Sequence, residues 1–326
     1  MANQMVKERP AQNADISSLE GLYEETERLS LAVGWVPRKV PIMGSKERSE
    51  FRAQHWSYSK VQPALAAAGH LIDVELAERR NFILRNAIAG NEWATSRTLV
   101  CAYQMILPGE RAPSHRHTSN ALRVIIDGKG SYSIVNGEKM FMETGDVVLT
   151  PGGHWHGHGH DGDEPAYWLD CLDVPLTYLL EPMYFQQHPQ KFEPIVGQVE
   201  ESPFRFRRDS IARSLDRQSA DQDGRHGPRI ILPTPSMPSV GLAVERLEGG
   251  CRYRCQRSTA NRIYSVMEGR GLSLVEDQVI DWERGDTIVV PSNYWLEQRP
   301  AGDAVLVEMS DEPLMRFTNY LAVEWR

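Results

Sequence analysis

The stretch Gly145-Asp146-Val147-Val148-Leu149-Thr150-Pro151-Gly152-Gly153-His154-Trp155-His156 has a second copy 140 residues later. There Gly285-Asp286-Thr287-Ile288-Val289-Val290-Pro291-Ser292-Asn293-Tyr294-Trp295-Leu296 keeps the turn, the apolar strand, the proline and the tryptophan. Upstream the offset is 141, and Gly109, Gly128 and Gly130 fall on Gly250, Gly269 and Gly271. Glycines recurring at matched turns imply one backbone built twice. Asn136-Gly137 between alternating apolar runs is the strongest hairpin signal in the chain. The repeated unit is therefore predicted to be mainly β, made of short strands and tight turns.

Around the two copies the chain divides into four stretches. Residues 1–95 read as helical. Asp15, Ser17 and Ser18 are candidate N-caps before Leu19, Leu22, Thr26 and Leu29, and Pro37 and Pro41 close that region. Further helices are predicted near Ser45–Tyr58, Pro63–Ala68 and Ile72–Arg80. Residues 96–185 form the first β unit, and 230–326 form the second. Residues 186–229, rich in Arg, Asp, Gln and Pro, read as an interdomain connection. The helical stretch has too few apolar positions for a core of its own, so it must pack on a barrel or on a neighbour.

The 326 residues are 41% hydrophobic and 25% charged, ordinary for a soluble globular protein. Lys+Arg 36 against Asp+Glu 44 leaves −8, which argues against nucleic acid and against a polybasic membrane patch. No apolar run is long enough to span a bilayer, and no secretory signal is visible at the start. Cys101, Cys171, Cys251 and Cys255 have no zinc-ribbon or Cys-x-x-Cys spacing, so free buried thiols in the cytoplasm are expected.

The copies differ where histidines stand. His115 becomes Gln256, His117 becomes Ser258 and His156 becomes Leu296. Any one of these histidines alone reads most simply as a satisfied core or surface residue. Their joint loss from the second copy points to one shared task, such as holding a metal. On a strand, His115 and His117 point to one face, about 6.6 Å apart, and inward-leaning imidazoles at that spacing can share an ion. His156, from a later strand, completes three neutral nitrogens and leaves positions open.

Gly109-x5-His115-x-His117 and Gly145-Asp146-x4-Pro151-x-Gly153-x2-His156 resemble the two cupin motifs. The resemblance implies two double-stranded β-helix (jelly-roll) barrels, a bicupin, behind a helical N-terminal region. The glutamate common after the second histidine is absent, since Asn120, Ala121 and Leu122 stand there. A closer resemblance comes from His115-Arg116-His117-Thr118, Ala121-Leu122-Arg123, Trp155-His156-x-His158-Gly159, Gly162-Asp163-Glu164-Pro165 and Trp168-Leu169-Asp170-x-Leu172-Asp173-x-Pro175. These segments are similar to the gentisate 1,2-dioxygenase family, which includes salicylate and 1-hydroxy-2-naphthoate dioxygenases.

That resemblance implies Fe(II) on His115, His117 and His156. It implies a small aromatic carboxylate substrate with an adjacent hydroxyl, O2 as second substrate, and a homo-oligomer, with a tetramer expected. Arg123, placed six residues after His117 on the same face of a continuing strand, is expected to meet the substrate carboxylate as a catalytic and binding group. His158, two residues after His156 and facing the same side, is expected to donate to the phenolic oxygen or to a bound peroxide as a catalytic group. Arg79 resembles a pocket arginine of the family, with Arg80 as the other possibility. Gln104, Asp170 and Ala102 line the pocket by resemblance, Asp170 being equally readable as an N-cap or structural acceptor. His154 and His160 are expected at the mouth or in solvent.

Gly157, His160, Cys171, Ala102 and Val100 depart from residues common in the family, which leaves the ring substituent open. Gentisate leads, with salicylate, a 5-substituted salicylate or 1-hydroxy-2-naphthoate behind it. A zinc hydrolase or isomerase would need a nearby general base, and no carboxylate closely follows His156 until Asp161. A non-catalytic ligand-binding cupin would not require Arg123 and His158 beside an intact triad.

Overall fold

The computed structural model describes residues 16–35, 49–73, 77 and 79–326. The chain divides into residues 1–48 and a compact unit of residues 49–326. Within the first, Leu19–Arg28 is a helix capped by Ser18, whose Oγ accepts the Gly21 N–H at 3.0 Å. Asp15, Pro37 and Pro41 lie outside the described residues.

Among the described residues four sheets make two barrels. In the first barrel one sheet runs Arg205–Phe206, Val147–Thr150, Ala121–Asp127, Ala166–Leu172, Val100–Ile106, Arg80–Ile83. Its opposing sheet runs Phe185–Gln187, Arg111–His117, His156–His160, Ser131–Val135, Glu138–Met142, Gly197–Gln198. The second barrel repeats this plan, with Arg262–Glu268 and Ala304–Ser310 central in one sheet and Trp295–Pro300 in the other. The hairpin turn is as the sequence predicts: Val135 pairs with Glu138, and Asn136 and Gly137 both have positive φ, 48° and 84°.

Strand alternation sorts the side chains. From Val100–Ile106 and Ala121–Asp127, Cys101, Tyr103, Met105, Leu122, Val124 and Ile126 face outward. They form one apolar core with Leu242, Val244, Ile263, Val307 and Met309 of the second barrel. The barrels thus share a seam. The opposite face of the same strands carries Ala102, Gln104 and Arg123 into the first barrel, among Ile125, Val148 and Trp168.

Each Gly-Asp turn of the repeat receives the start of a helix. Asp146 Oδ1 accepts the Arg208 N–H at 2.9 Å, at the start of Arg208–Leu215. Asp286 Oδ1 accepts the Tyr58 N–H at 2.8 Å, at the start of Tyr58–Leu71. The strand before each helix also adds to that barrel: Arg205–Phe206 on Val147–Val148, and Gln54–Trp56 on Thr287–Val289. So the segment before the first barrel clasps the second, and the segment between the barrels clasps the first. A Cβ on Gly145 would stand 2.6 Å from Arg208, and one on Gly285 2.5 Å from Tyr58, so both turns need glycine for this approach.

The N-terminal stretch differs in part from its helical reading. Within the expected Ser45–Tyr58 helix, the described residues include the strand Gln54–Trp56, because sheet pairing with the second barrel overrides local propensity. The Pro63–Ala68 segment lies inside one longer helix, Tyr58–Leu71. Much of Ile72–Arg80 lies outside the described residues, and Arg80 begins the strand Arg80–Ile83. All four cysteines are free; Cys101 and Cys171 are buried, whereas Cys251 is exposed. No described helix is long and apolar enough to cross a membrane.

Candidate metal centre

His115 and His117 come from one strand and His156 from its neighbour, where His156 pairs directly with His115. A ligand atom from each lies within 4.8 Å of the others, the one such group among the described residues. His117 and His156 have Nδ1 at 2.8 Å from the Ser119 carbonyl and 3.0 Å from the His154 carbonyl. A carbonyl only accepts, so each ring donates from Nδ1 and keeps Nε2 as a lone pair. Burial, with Arg79 as the next cause, lowers His115 to about 2; burial also lowers His117 to about 4 and holds His156 well below the usual range. Neutral imidazoles are the form a divalent metal requires. Two Nε2 lone pairs, with the neutral His115 ring beside them, make a candidate three-nitrogen metal set.

The second barrel keeps the frame without the ligands. Gln256 pairs with Leu296 in the register that His115 keeps with His156. Leu296 offers no donor, Ser258 Oγ accepts the Ala260 N–H at 3.1 Å, and Gln256 accepts from Arg262 Nη1.

Arg123 enters the barrel interior from the facing sheet. The strand ends at His117 and a new one starts at Ala121, so the continuing strand of the sequence reading is absent. The chain crosses from one sheet to the other, and Arg123 points inward opposite the histidines. Its Nη1 donates to Thr150 Oγ1 at 2.7 Å, and its Nε lies 3.1 Å from Asp170 Oδ1. Asp170 also accepts from Gln104 Nε2. Burial raises the Asp170 carboxyl and Arg123 opposes that rise. Asp170 is in mid-strand and caps no helix; Asp173 holds that position. Ala102 pairs with Asp170 across the sheet and, having only a methyl group, leaves space beside it.

Arg79 and Arg80 separate cleanly. Arg79 Nη1 donates to His115 Nδ1 at 2.8 Å. Arg80 pairs with Glu110 and donates to the Gly69 and Ile72 carbonyls at 3.0 and 3.1 Å, tying the helix end to the barrel. A small cavity is lined by Arg79, Arg80, Gln104, His158 and Trp168, among others. His158 Nδ1 is 3.0 Å from Ser133 Oγ, and its buried Nε2 has no hydrogen-bond partner. Burial, then Arg123 and Arg79, keep this ring neutral.

His160 is not at the mouth. It is buried, its Nε2 is 2.5 Å from the Glu164 carbonyl, and its Nδ1 accepts the Gly162 N–H at 3.3 Å, so it braces a loop. His154 is partly buried, with Nδ1 3.2 Å from the Gly152 carbonyl. Sequence reading missed Thr150 and Ser133. Ser133 could have been found directly opposite His158, and Thr150 by strand alternation two residues beyond Val148, the partner of Arg123. Gly157 and Gly159 alternate with the histidines because their neighbours leave no room: a Cβ would stand 2.5 Å from Ser114 Oγ and 2.2 Å from Tyr132 Oη.

Two barrels on one repeated plan, one of them holding a buried three-histidine set beside two arginines, define a metal-binding bicupin. A Cupin domain family model matches residues 102–172. Gentisate 1,2 dioxygenase 1 of Aquipseudomonas alcaligenes is 31% identical over 317 residues, covering 89% of this chain and 91% of that protein. The 5-aminosalicylate 1,2-dioxygenase of Comamonas sp is 31% identical over 332 residues, covering 92% and 88%. The solved salicylate 1,2-dioxygenase of Pseudaminobacter salicylatoxidans superposes with a TM-score of 0.85 at 25% identity, covering 94% of this chain and 97% of that one. The chain belongs to the gentisate and salicylate 1,2-dioxygenase family, and it is a ring-cleaving dioxygenase.

Proposed function

We propose that the enzyme is Fe(II)-dependent and opens the ring of gentisate, or of a closely related 2-hydroxybenzoate, between the carboxyl- and hydroxyl-bearing carbons. The observation that carries this reading is the charge of the first barrel. Arg79 and Arg123 bring two guanidiniums beside the neutral triad, while Asp170 is the carboxylate paired with them. A divalent ion added to this set leaves a large positive excess in a buried site. A substrate bound through its carboxylate and the adjacent ring hydroxyl supplies compensating negative charge.

His115, His117 and His156 would hold the iron, which would supply coordination positions for substrate and O2, the ring being the net source of electrons. The protein groups do the rest. Arg123, fixed by Thr150 and Asp170, orients the carboxylate. Arg79 offers a second cationic contact beside the triad. His158 Nε2 meets the substrate hydroxyl, and Gln104 holds Asp170 in place. Both atoms of O2 enter the organic product, so no further reductant is consumed.

Oxygen uptake after anaerobic iron loading tests the reading against gentisate, 5-aminosalicylate, salicylate and 1-hydroxy-2-naphthoate. Uptake fastest with gentisate is expected. Iron-loaded protein that consumes no O2 with any of the four would overturn the reading. We place the enzyme in the cytoplasm as a homotetramer. The exposed apolar run Tyr178, Leu179, Leu180, Met183, Tyr184 and Phe185 supports association of copies.

A further inference from the structure

Ser133 lies directly opposite His158 on the neighbouring strand and is fully buried. Its hydroxyl has two partners: His158 Nδ1 at 3.0 Å and Met142 Sδ at 3.2 Å. A hydroxyl has one proton to give. A thioether can only accept, whereas Nδ1 can donate or accept. Both contacts are hydrogen bonds at once in one arrangement alone: Ser133 donates to Met142, and His158 donates from Nδ1 to Ser133. The ring proton then sits on Nδ1, and the buried Nε2 in the cavity is a lone pair.

The second barrel supplies an internal comparison. At the offset of 140, Ser133, Met142 and His158 become Ser273, Trp282 and Gln298. There Trp282 Nε1 donates to Ser273 Oγ at 2.9 Å, and Ser273 donates to Gln298 Oε1 at 2.6 Å. The same serine passes its hydrogen bond in the opposite direction, because a donor replaces the sulfur acceptor. The residue at position 142 or 282 thus sets the polarity of the pair that points into each barrel.

We propose that Ser133 is a positioning residue which, with Met142 as its acceptor, fixes His158 as the Nδ1–H tautomer so that Nε2 accepts the substrate's ring hydroxyl. The inference rests on His158 being the group that meets substrate. A substrate that offers a hydroxyl donor fits this site; one whose only nearby group is an acceptor meets a lone pair.

Two measurements test it. Neutron diffraction from crystals of the deuterated protein locates the deuterons. One on His158 Nδ1, with the Ser133 deuteron towards Met142 Sδ, is expected; a deuteron on Nε2 alone overturns the proposal. In the iron-loaded enzyme, Ser133→Ala and Met142→Leu are each expected to lower kcat about tenfold with KM within about twofold, iron content unchanged. Ser133→Thr, which keeps the hydroxyl, is expected to restore kcat to within about threefold of wild type. Ser273→Ala is expected to leave kcat and KM unchanged. Ser133→Ala with wild-type kcat also overturns the proposal. Failure of the ring-cleavage reading itself shows differently, as wild-type protein that turns over no 2-hydroxybenzoate while the neutron result stands.

Discussion

Arg123 and Asp170 face each other on adjacent strands, with Nε 3.1 Å from Oδ1 and both side chains almost wholly buried. A buried charge of either sign is costly alone, so each residue keeps the other ionised. Arg123 also has work beyond its partner, since Thr150 takes Nη1 and fixes the plane of the guanidinium.

Removal of Arg123 should therefore act on substrate and on stability together. Arg123→Ala is expected to raise KM and lower kcat, with iron retained, for a loss of about 1.5–3 kcal/mol, roughly ten- to a hundredfold in kcat/KM. Its melting temperature should also fall, because Asp170 is left without its cation. Arg123→Lys should recover part of each, keeping the charge but not the planar fork. Unchanged kcat/KM at full iron occupancy would remove Arg123 from the substrate site.

Metal content should follow the first barrel alone. His117→Ala is expected to abolish iron retention and turnover, while Gln256→Ala leaves iron content unchanged. Elemental analysis of both variants checks this, and two tightly held ions per wild-type chain would contradict it.

The histidines also set the acid limb of stability in metal-free protein. His115 is held at about 2 and His117 at about 4, while the unfolded rings titrate near 6.5. Below that value the unfolded chain takes up protons that the folded chain refuses. The stability these rings contribute is thus full above pH ~6.5 and is lost as pH falls towards their folded values. Melting temperature is expected to drop steadily from about pH 6.5 to about 4.5 in chelator-treated protein. A flat profile over that range would show that the rings are protonated in the fold.

The repeat and the triad were legible in the sequence, because turn glycines and strand alternation are local properties; Arg123 points inward as expected, but from the facing sheet and not along the strand of His117. What was not legible came from long-range pairing. Gln54–Trp56 is a strand because Thr287–Val289 offers an edge, more than two hundred residues away. The choice between Arg79 and Arg80 depends on which guanidinium the strand Arg80–Ile83 turns towards Glu110. His160 looked like a rim residue by position, yet the Glu164 loop folds back to cover it.

Close packing around the histidine strand should make its glycines intolerant. Gly159→Ala places a methyl group against the Tyr132 ring and is expected to cost about 1–3 kcal/mol. Denaturant unfolding measures it, and Tyr132→Ala in the same chain should return part of the loss. A Gly159→Ala variant as stable as wild type would mean that the Tyr132 ring moves aside freely.

Association should be visible directly. Light scattering at micromolar concentration is expected to give the mass of four chains, and a monomer would contradict the proposed assembly.

A first barrel with one iron on His115, His117 and His156 should insert both atoms of O2 into a 2-hydroxybenzoate ring. The most direct measurement is turnover of gentisate by iron-loaded protein under isotopically heavy O2, with mass spectrometry of the ring-opened product. Both labelled oxygen atoms are expected in each product molecule, with one O2 consumed per substrate. Product without label, or no product from protein carrying one iron per chain, would contradict it.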